Sequence, residues 1–112
     1  MGSLCFVHSM NSLQMKRASI IDRAILKGKH NQKALKEEVE KELGFKISLG
    51  NIDHDLKRMR EIFGAPIKYV PLTHCTGYYT YDKEYDFGDA FLKYWADYVE
   101  FSKDINKIIF QC

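Results

Sequence analysis

Apolar residues recur along the chain at Leu49, Ile52, Leu56, Met59 and Phe63. At about 100° per residue they fall on one narrow face of a helix. Ser48 supplies an N-cap, Gly64 a stop, and Pro66 blocks continuation. Leu13, Arg17, Ile20, Ile21, Ala24 and Ile25 mark an earlier helix from Leu13 to Leu26, closed by Gly28. Between the two, Ala34, Leu35, Val39 and Leu43 predict a helix from Gln32 to Leu43. Asn31 is its N-cap and Gly44 its left-handed end. Its outer face is charged, with Lys33–Glu37 and Glu37–Lys41 at pairing distance in sequence. Phe45 and Ile47, in the connecting turn, are expected to plug into the core.

The period then changes. Ile67 to Val70 and Gly77 to Tyr81 are β-branched and aromatic runs. Pro71-Leu72-Thr73-His74-Cys75-Thr76 separates them, which predicts a hairpin with a loop longer than two residues. Alternation sends Tyr79 and Tyr81 to one face and Tyr78 to the other. A polar exit follows, and a last helix is predicted from Gly88. Its seam is Phe91, Tyr94, Tyr98, Phe101, Ile105, Ile108 and Cys112, widened by Trp95, Val99 and Ile109. A helix this apolar must pack on its own domain or on another chain. Phe91, Tyr94, Trp95, Tyr98, Phe101, Ile105 and Ile108 are therefore candidates for pairing two protomers into a homodimer.

The fold class is mainly α with a small β-hairpin. Helix, tight turn, helix, hairpin is the plan of a winged helix-turn-helix, and that plan mostly serves nucleic-acid binding. At 112 residues the chain suits one domain. Residues 15–87 read as that domain, 88–112 as the C-terminal amphipathic helix, and 1–14 as a loosely attached leader. The short apolar patch from Leu4 to Val7 lacks a basic flank and a long apolar run, so a signal peptide is not expected. No stretch approaches membrane-spanning length.

Charge and cysteines narrow the partners. The net charge of +2 is too small to attract nucleic acid in bulk, so any DNA binding needs its basic groups on one face. Cys5, Cys75 and Cys112 are odd in number and far apart, without zinc-ligand spacing. Free thiols suit a reducing cytoplasm. Asp53 and Asp55 point to different sides of a helix, so they make no paired-carboxylate site. No Ser-His-Asp set, phosphate loop or metal cluster is present, and neither an enzyme nor a cofactor is expected.

Residues from about Lys16 to Phe87 resemble the N-terminal winged helix-turn-helix of the WYL-domain transcriptional regulators, relatives of the DeoR-type repressor heads. The resemblance rests on several short runs in order. They are Ile47-Ser48-Leu49-Gly50-Asn51-Ile52-Asp53-His54-Asp55-Leu56, Met59-Arg60, Gly64-Ala65-Pro66-Ile67 and Gly77-Tyr78-Tyr79-Thr80-Tyr81. It implies binding of double-stranded DNA and a role in transcription. Many members carry arginine just after the cap and again before the aspartate. This chain has Gly50 and Asn51, then Asp53 and His54. The family also normally continues into a ligand-sensing domain, and this chain stops after one helix.

The candidate DNA contacts follow from both lines of reasoning. Asn51, His54 and Arg58 share an outward face with Gly50 and Lys57. Asn suits adenine, Arg suits guanine, and His suits a phosphate or base edge. Asp55 is expected to pair with Arg58 or with a basic residue of a neighbouring helix. Gly50 permits close approach to a phosphate at the helix start, beside Ser48. Lys46, Lys68 and His74, with Lys29 and Lys33, are candidates for phosphate contacts that position without reading sequence. The plainer alternative is an ordinary solvated helix face. At the level of function, the rival is a winged-helix protein-interaction module that binds no DNA.

Overall fold

A computed structural model describes residues 11–97. The proposed leader up to residue 10, and Tyr98, Phe101, Ile105 and Ile108 of the C-terminal seam, lie outside the described residues. The described chain is mainly helical, with one small antiparallel hairpin. Helix α1 spans Ser12–Lys27, α2 Gln32–Leu43 and α3 Leu49–Ile62. Strands β1, Ile67–Val70, and β2, Tyr78–Tyr81, follow. Helix α4 covers residues 87–97 of the described chain. No helix among these residues is long and apolar enough to cross a membrane.

Each helix starts where a side chain satisfies the backbone N–H groups that a first turn leaves open. Asn11 accepts from the Gln14 backbone at 2.8 Å, and the Gln14 side chain accepts from the Asn11 backbone at 3.1 Å. This reciprocal cap starts α1 at Ser12, one residue before the Leu13 that periodicity predicts. Asn31 caps α2 by accepting from Ala34 at 2.7 Å. Gly44 ends α2 at φ 82, a conformation suited to glycine. Asp86 starts α4, its carboxylate accepting from Asp89 at 3.1 Å, so that helix begins at Phe87 rather than Gly88.

The apolar stripes of the first three helices meet in one core. Ile20, Ile21, Leu35, Val39, Ile52, Leu56 and Met59 are essentially removed from solvent. Leu13, Phe45 and Leu49 depart from the periodic pattern and stay exposed, at 39%, 50% and 46%. Leu13 and Leu49 sit in the first turns of their helices, and Phe45 follows the helix-ending glycine, where the chain turns away. The hairpin pairs Ile67 with Tyr81 and Tyr69 with Tyr79. Tyr79 and Tyr81 pack against the core as alternation requires. The Tyr79 N–H also donates to the His30 carbonyl at 2.9 Å, joining the hairpin to the α1–α2 connection.

Helix α4 is held by an aromatic cluster. The Phe63 ring meets those of Phe87, Tyr94 and Phe91 at centroid distances of 5.2, 5.3 and 6.3 Å. The first two contacts are edge-on, the geometry that aromatic quadrupoles prefer. Phe91 and Tyr94, candidates for pairing protomers, thus pack on their own chain. Trp95 remains 45% exposed.

Polar groups inside the core are matched. Among the described residues, no buried side-chain nitrogen or oxygen lacks a hydrogen-bond partner. Asp55, only 1% exposed, accepts from Arg17 Nε at 2.7 Å and Arg17 Nη2 at 3.1 Å. It also accepts from Arg58 Nη1 at 2.9 Å. The Tyr81 hydroxyl donates to buried Asp22 at 2.6 Å, and Tyr85 donates to the Phe63 carbonyl at 3.1 Å. Burial pushes the Tyr85 hydroxyl up to about 12. On α2 the sequence-adjacent charge pairs give way to Lys36–Glu40 at 2.9 Å, while Glu42 takes Arg23 of α1 at 2.9 Å.

Two predictions follow from these buried polar groups. Without Arg17, buried Asp55 keeps only the bond from Arg58 to its Oδ1, and its charged Oδ2 loses its partner. Arg17→Ala is expected to cost about 3–5 kcal/mol of folding stability, measured by urea denaturation. A cost below about 1 kcal/mol, the range of an exposed pair, would refute the buried bridge. The second concerns pH. Burial pushes the Asp22 carboxyl above its ordinary value, Asp86 adds to this, and the Tyr81 hydrogen bond and Arg23 oppose it. The folded state thus holds this proton more tightly than the unfolded chain. Its stabilising effect is full below the unfolded pKa and is lost as pH rises through the raised one. Wild type should lose stability relative to Asp22→Asn as pH rises from the ordinary aspartate value of 3.8 toward neutrality. Paired denaturation curves across that range check it, and a constant difference would contradict it.

Candidate functional site

The α2–turn–α3 unit presents the richest set of unused polar groups. Its turn is fixed from α2. The Glu40 carboxylate accepts from the Ile47 backbone at 3.0 Å and from Lys36 at 2.9 Å. The Lys36 hydrogen bond first, then the Ile47 N–H, hold the Glu40 carboxyl below its ordinary pKa. Ile47 is buried, and Ser48 follows as N-cap with its hydroxyl accepting from Asn51 N–H at 3.1 Å. The first turn of α3 is tied to α2 by Gln32. Its Nε2 donates to the Leu49 carbonyl at 3.1 Å and to Asp53 Oδ1 at 2.6 Å.

Burial then sorts the sides of α3. Ile52, Asp55, Leu56 and Met59 face inward. Gly50, His54, Lys57 and Glu61 form the exposed ridge. Asn51 and Arg58 lie on the flank toward Asp55, both partly buried. Asp53 and Arg60 occupy the opposite flank, where Arg60 Nε donates to the Ile67 carbonyl of β1 at 3.2 Å. The side chains of Asn51, His54 and Lys57 have no protein partner among the described residues.

The other candidates fall into different circumstances. Arg58 is bound to buried Asp55, so it belongs to the core bridge as well as to the surface. Truncating it therefore disturbs the core, contrary to what its position opposite the apolar stripe predicts. The Ser48 hydroxyl is committed to its cap. A Cβ on Gly50 would meet only the Ser48 hydroxyl, at 3.6 Å, so internal packing does not require glycine there. Lys46 is exposed just before the cap. Lys68, on β1, pairs with Asp82 at 3.1 Å with both side chains more than half exposed. His74 lies on the exposed hairpin loop beside Cys75. No group of His, Cys, Asp or Glu among the described residues is placed to hold a metal ion.

A cleft of about 470 Å³ opens between the starts of α2 and α3 and the hairpin. Asn31, Gln32, Lys33, Leu49, Tyr69, Thr76 and Tyr79 line it. The rings of Tyr69 and Tyr79 meet at 5.3 Å. Burial, and then Asp53, push the Tyr79 hydroxyl up. The Tyr69 hydroxyl accepts from Gly77 N–H at 2.9 Å. A Cβ on Gly77 would collide with the Val70 carbonyl and the Tyr69 ring, so glycine is required where β2 begins. Leu49 and Tyr69 escape a reading based on periodicity because a half-exposed apolar residue at an element's end looks like core. The one sequence signal was the place of Leu49 at the edge of its stripe.

No family model, curated protein or solved structure matches this chain.

Loss of the Ser48 hydroxyl leaves an open N–H at the start of α3. Ser48→Ala should lower stability by about 1 kcal/mol, with an unchanged denaturant slope. A midpoint equal to wild type would place the start of α3 elsewhere.

Proposed function

We propose that this chain binds double-stranded DNA through α3 as a winged helix-turn-helix, of the kind that heads the WYL-domain regulators, and acts in transcription. The observation that carries the reading is the outward side of α3. His54 and Lys57 stand there, with half-buried Asn51 on the flank, and the side chains of all three have no partner among the described residues, on a helix locked by Ser48, Gln32 and Glu40. Uncommitted donors and acceptors on a rigid helix are what base-edge recognition needs. The hairpin supports the reading by its bond to the α1–α2 connection, which holds it beside the start of α3. Lys46, Lys33 and Lys29 are exposed and suit phosphates. The exposed Lys68–Asp82 pair is of the weak kind that a phosphate can replace. Arg58 contributes one positive charge beyond the neutral Arg17–Asp55 pair and keeps N–H groups beyond the one given to Asp55.

Protein interaction is the rival, favoured by the exposure of Phe45, Leu49 and Tyr69. Titration against selected and random duplexes at several salt concentrations decides between them. DNA binding predicts affinity that falls steeply with salt. Lys57→Ala should weaken all duplexes alike and reduce the salt slope by about 1, as loss of a phosphate contact does. Asn51→Ala should relax preference at one base pair at a cost of about 1–3 kcal/mol. Neither residue is buried, so circular dichroism should match wild type. Salt-independent or absent binding to every duplex would overturn the reading.

A further inference from the structure

Leu49 is an anomaly in an otherwise regular helix. Periodicity assigns it to the core with Ile52, Leu56 and Met59, yet it is 46% exposed while those three are at most 2% exposed. It is not loosely placed. Ser48 caps the turn that contains it, and Gln32 of α2 holds its carbonyl at 3.1 Å. Its side chain lines the cleft together with Tyr69, itself 46% exposed, and Thr76. The structure thus fixes a branched apolar group at the start of α3, open to whatever enters between this helix and the hairpin.

The surrounding charge indicates the occupant. Neither α2 nor α3 has an acidic residue in its first turn. Lys33 lines the cleft and Lys46 is exposed just ahead of the cap, two cations against one carboxylate beside the cleft, Asp53, which accepts from Gln32. A cationic rim beside an apolar wall suits a polyanion that also carries an exposed methyl group. Duplex DNA offers this combination: phosphates along the backbone, and the thymine 5-methyl as the apolar feature of the major groove. In helix-turn-helix docking the first residues of the second helix meet the base edges.

We propose that Leu49 is a specificity-determining residue that reads the 5-methyl group of a thymine, with Tyr69 closing the far side of the contact. This rests on α3 entering the major groove, and it adds a preference that hydrogen bonds from Asn51 or His54 do not supply. It also accounts for the exposure of Leu49, which becomes covered only in the complex.

The test is removal of one methyl group from the DNA. A duplex selected with the whole chain is resynthesised with each thymine in turn replaced by deoxyuridine, which keeps every hydrogen bond. At one thymine the exchange should weaken wild type about fourfold, the worth of one buried methyl. Leu49→Ala should bind the thymine and deoxyuridine duplexes equally, with the salt slope of wild type. Leu92→Ala, which truncates a leucine 65% exposed on α4, should keep the wild-type discrimination. Circular dichroism establishes that each variant is folded, and Leu49→Met serves as a second variant that should retain part of the preference. Duplex binding with no thymine sensitive to exchange, or Leu49→Ala with undiminished discrimination, overturns the assignment and leaves the DNA reading standing. Failure to bind any duplex overturns both and points to a protein partner for the cleft.

Discussion

Asp55 is the constraint on which the arrangement of this domain depends. It sits on the inward side of α3 in the company of Ile52, Leu56 and Met59, where an unpaired carboxylate would be costly. Arg17 reaches it from α1 with a two-pronged grip, and Arg58 reaches it from one turn further along α3. Apolar packing alone would let α3 slide or rotate against α1 at modest cost. A forked guanidinium matched to a carboxylate allows far less freedom. The rotation of α3, and therefore the set of residues it turns outward, is tied to this contact.

The remaining supports act on the two ends of α3. At its start, Glu40 holds the turn, Ser48 caps the first turn and Gln32 ties that turn to α2. At its end, Gly64 adopts φ 63 and lets the Ala65 N–H fold back onto the Met59 carbonyl at 3.0 Å. The reversal carries the chain into β1. Phe63, the core residue that caps the helix end, then anchors the aromatic rings of α4. Rigid placement matters for a surface that recognises shape, because a loosely held donor loses binding energy to its own ordering.

The hairpin is fastened by different means. Two half-buried tyrosines on β2 pack against the core, Tyr81 with its hydroxyl on Asp22 of α1 and Tyr79 with its backbone on His30. Between the hairpin and α3 lies the cleft that leaves Leu49 and Tyr69 partly in water. A small domain cannot close every such gap, since its surface is large relative to its core. Here the gap lies at the starts of two helices that carry no acidic residue in their first turns.

The element order was legible in the sequence. Periodicity, the Asn31 and Ser48 caps and the Gly28, Gly44 and Gly64 stops are local signals, and local backbone energetics decide where helices begin and end. Alternation in the tyrosine run likewise placed Tyr79 and Tyr81 on the packed side. Asp55 was expected to pair with Arg58 or with a basic residue of a neighbouring helix and does both, but which residue across the fold would reach it was not legible. Arg17 is thirty-eight residues from Asp55, and nothing near either residue in sequence identifies the other. Which arginine reaches Asp55 across the fold and which leucine stays wet depend on distances between elements. Sequence set the faces of α3, because side-chain direction along a helix is fixed by its pitch. Only tertiary packing decided that Leu49, on the edge of the apolar face, would remain uncovered, because no neighbouring element among the described residues reaches far enough to bury it.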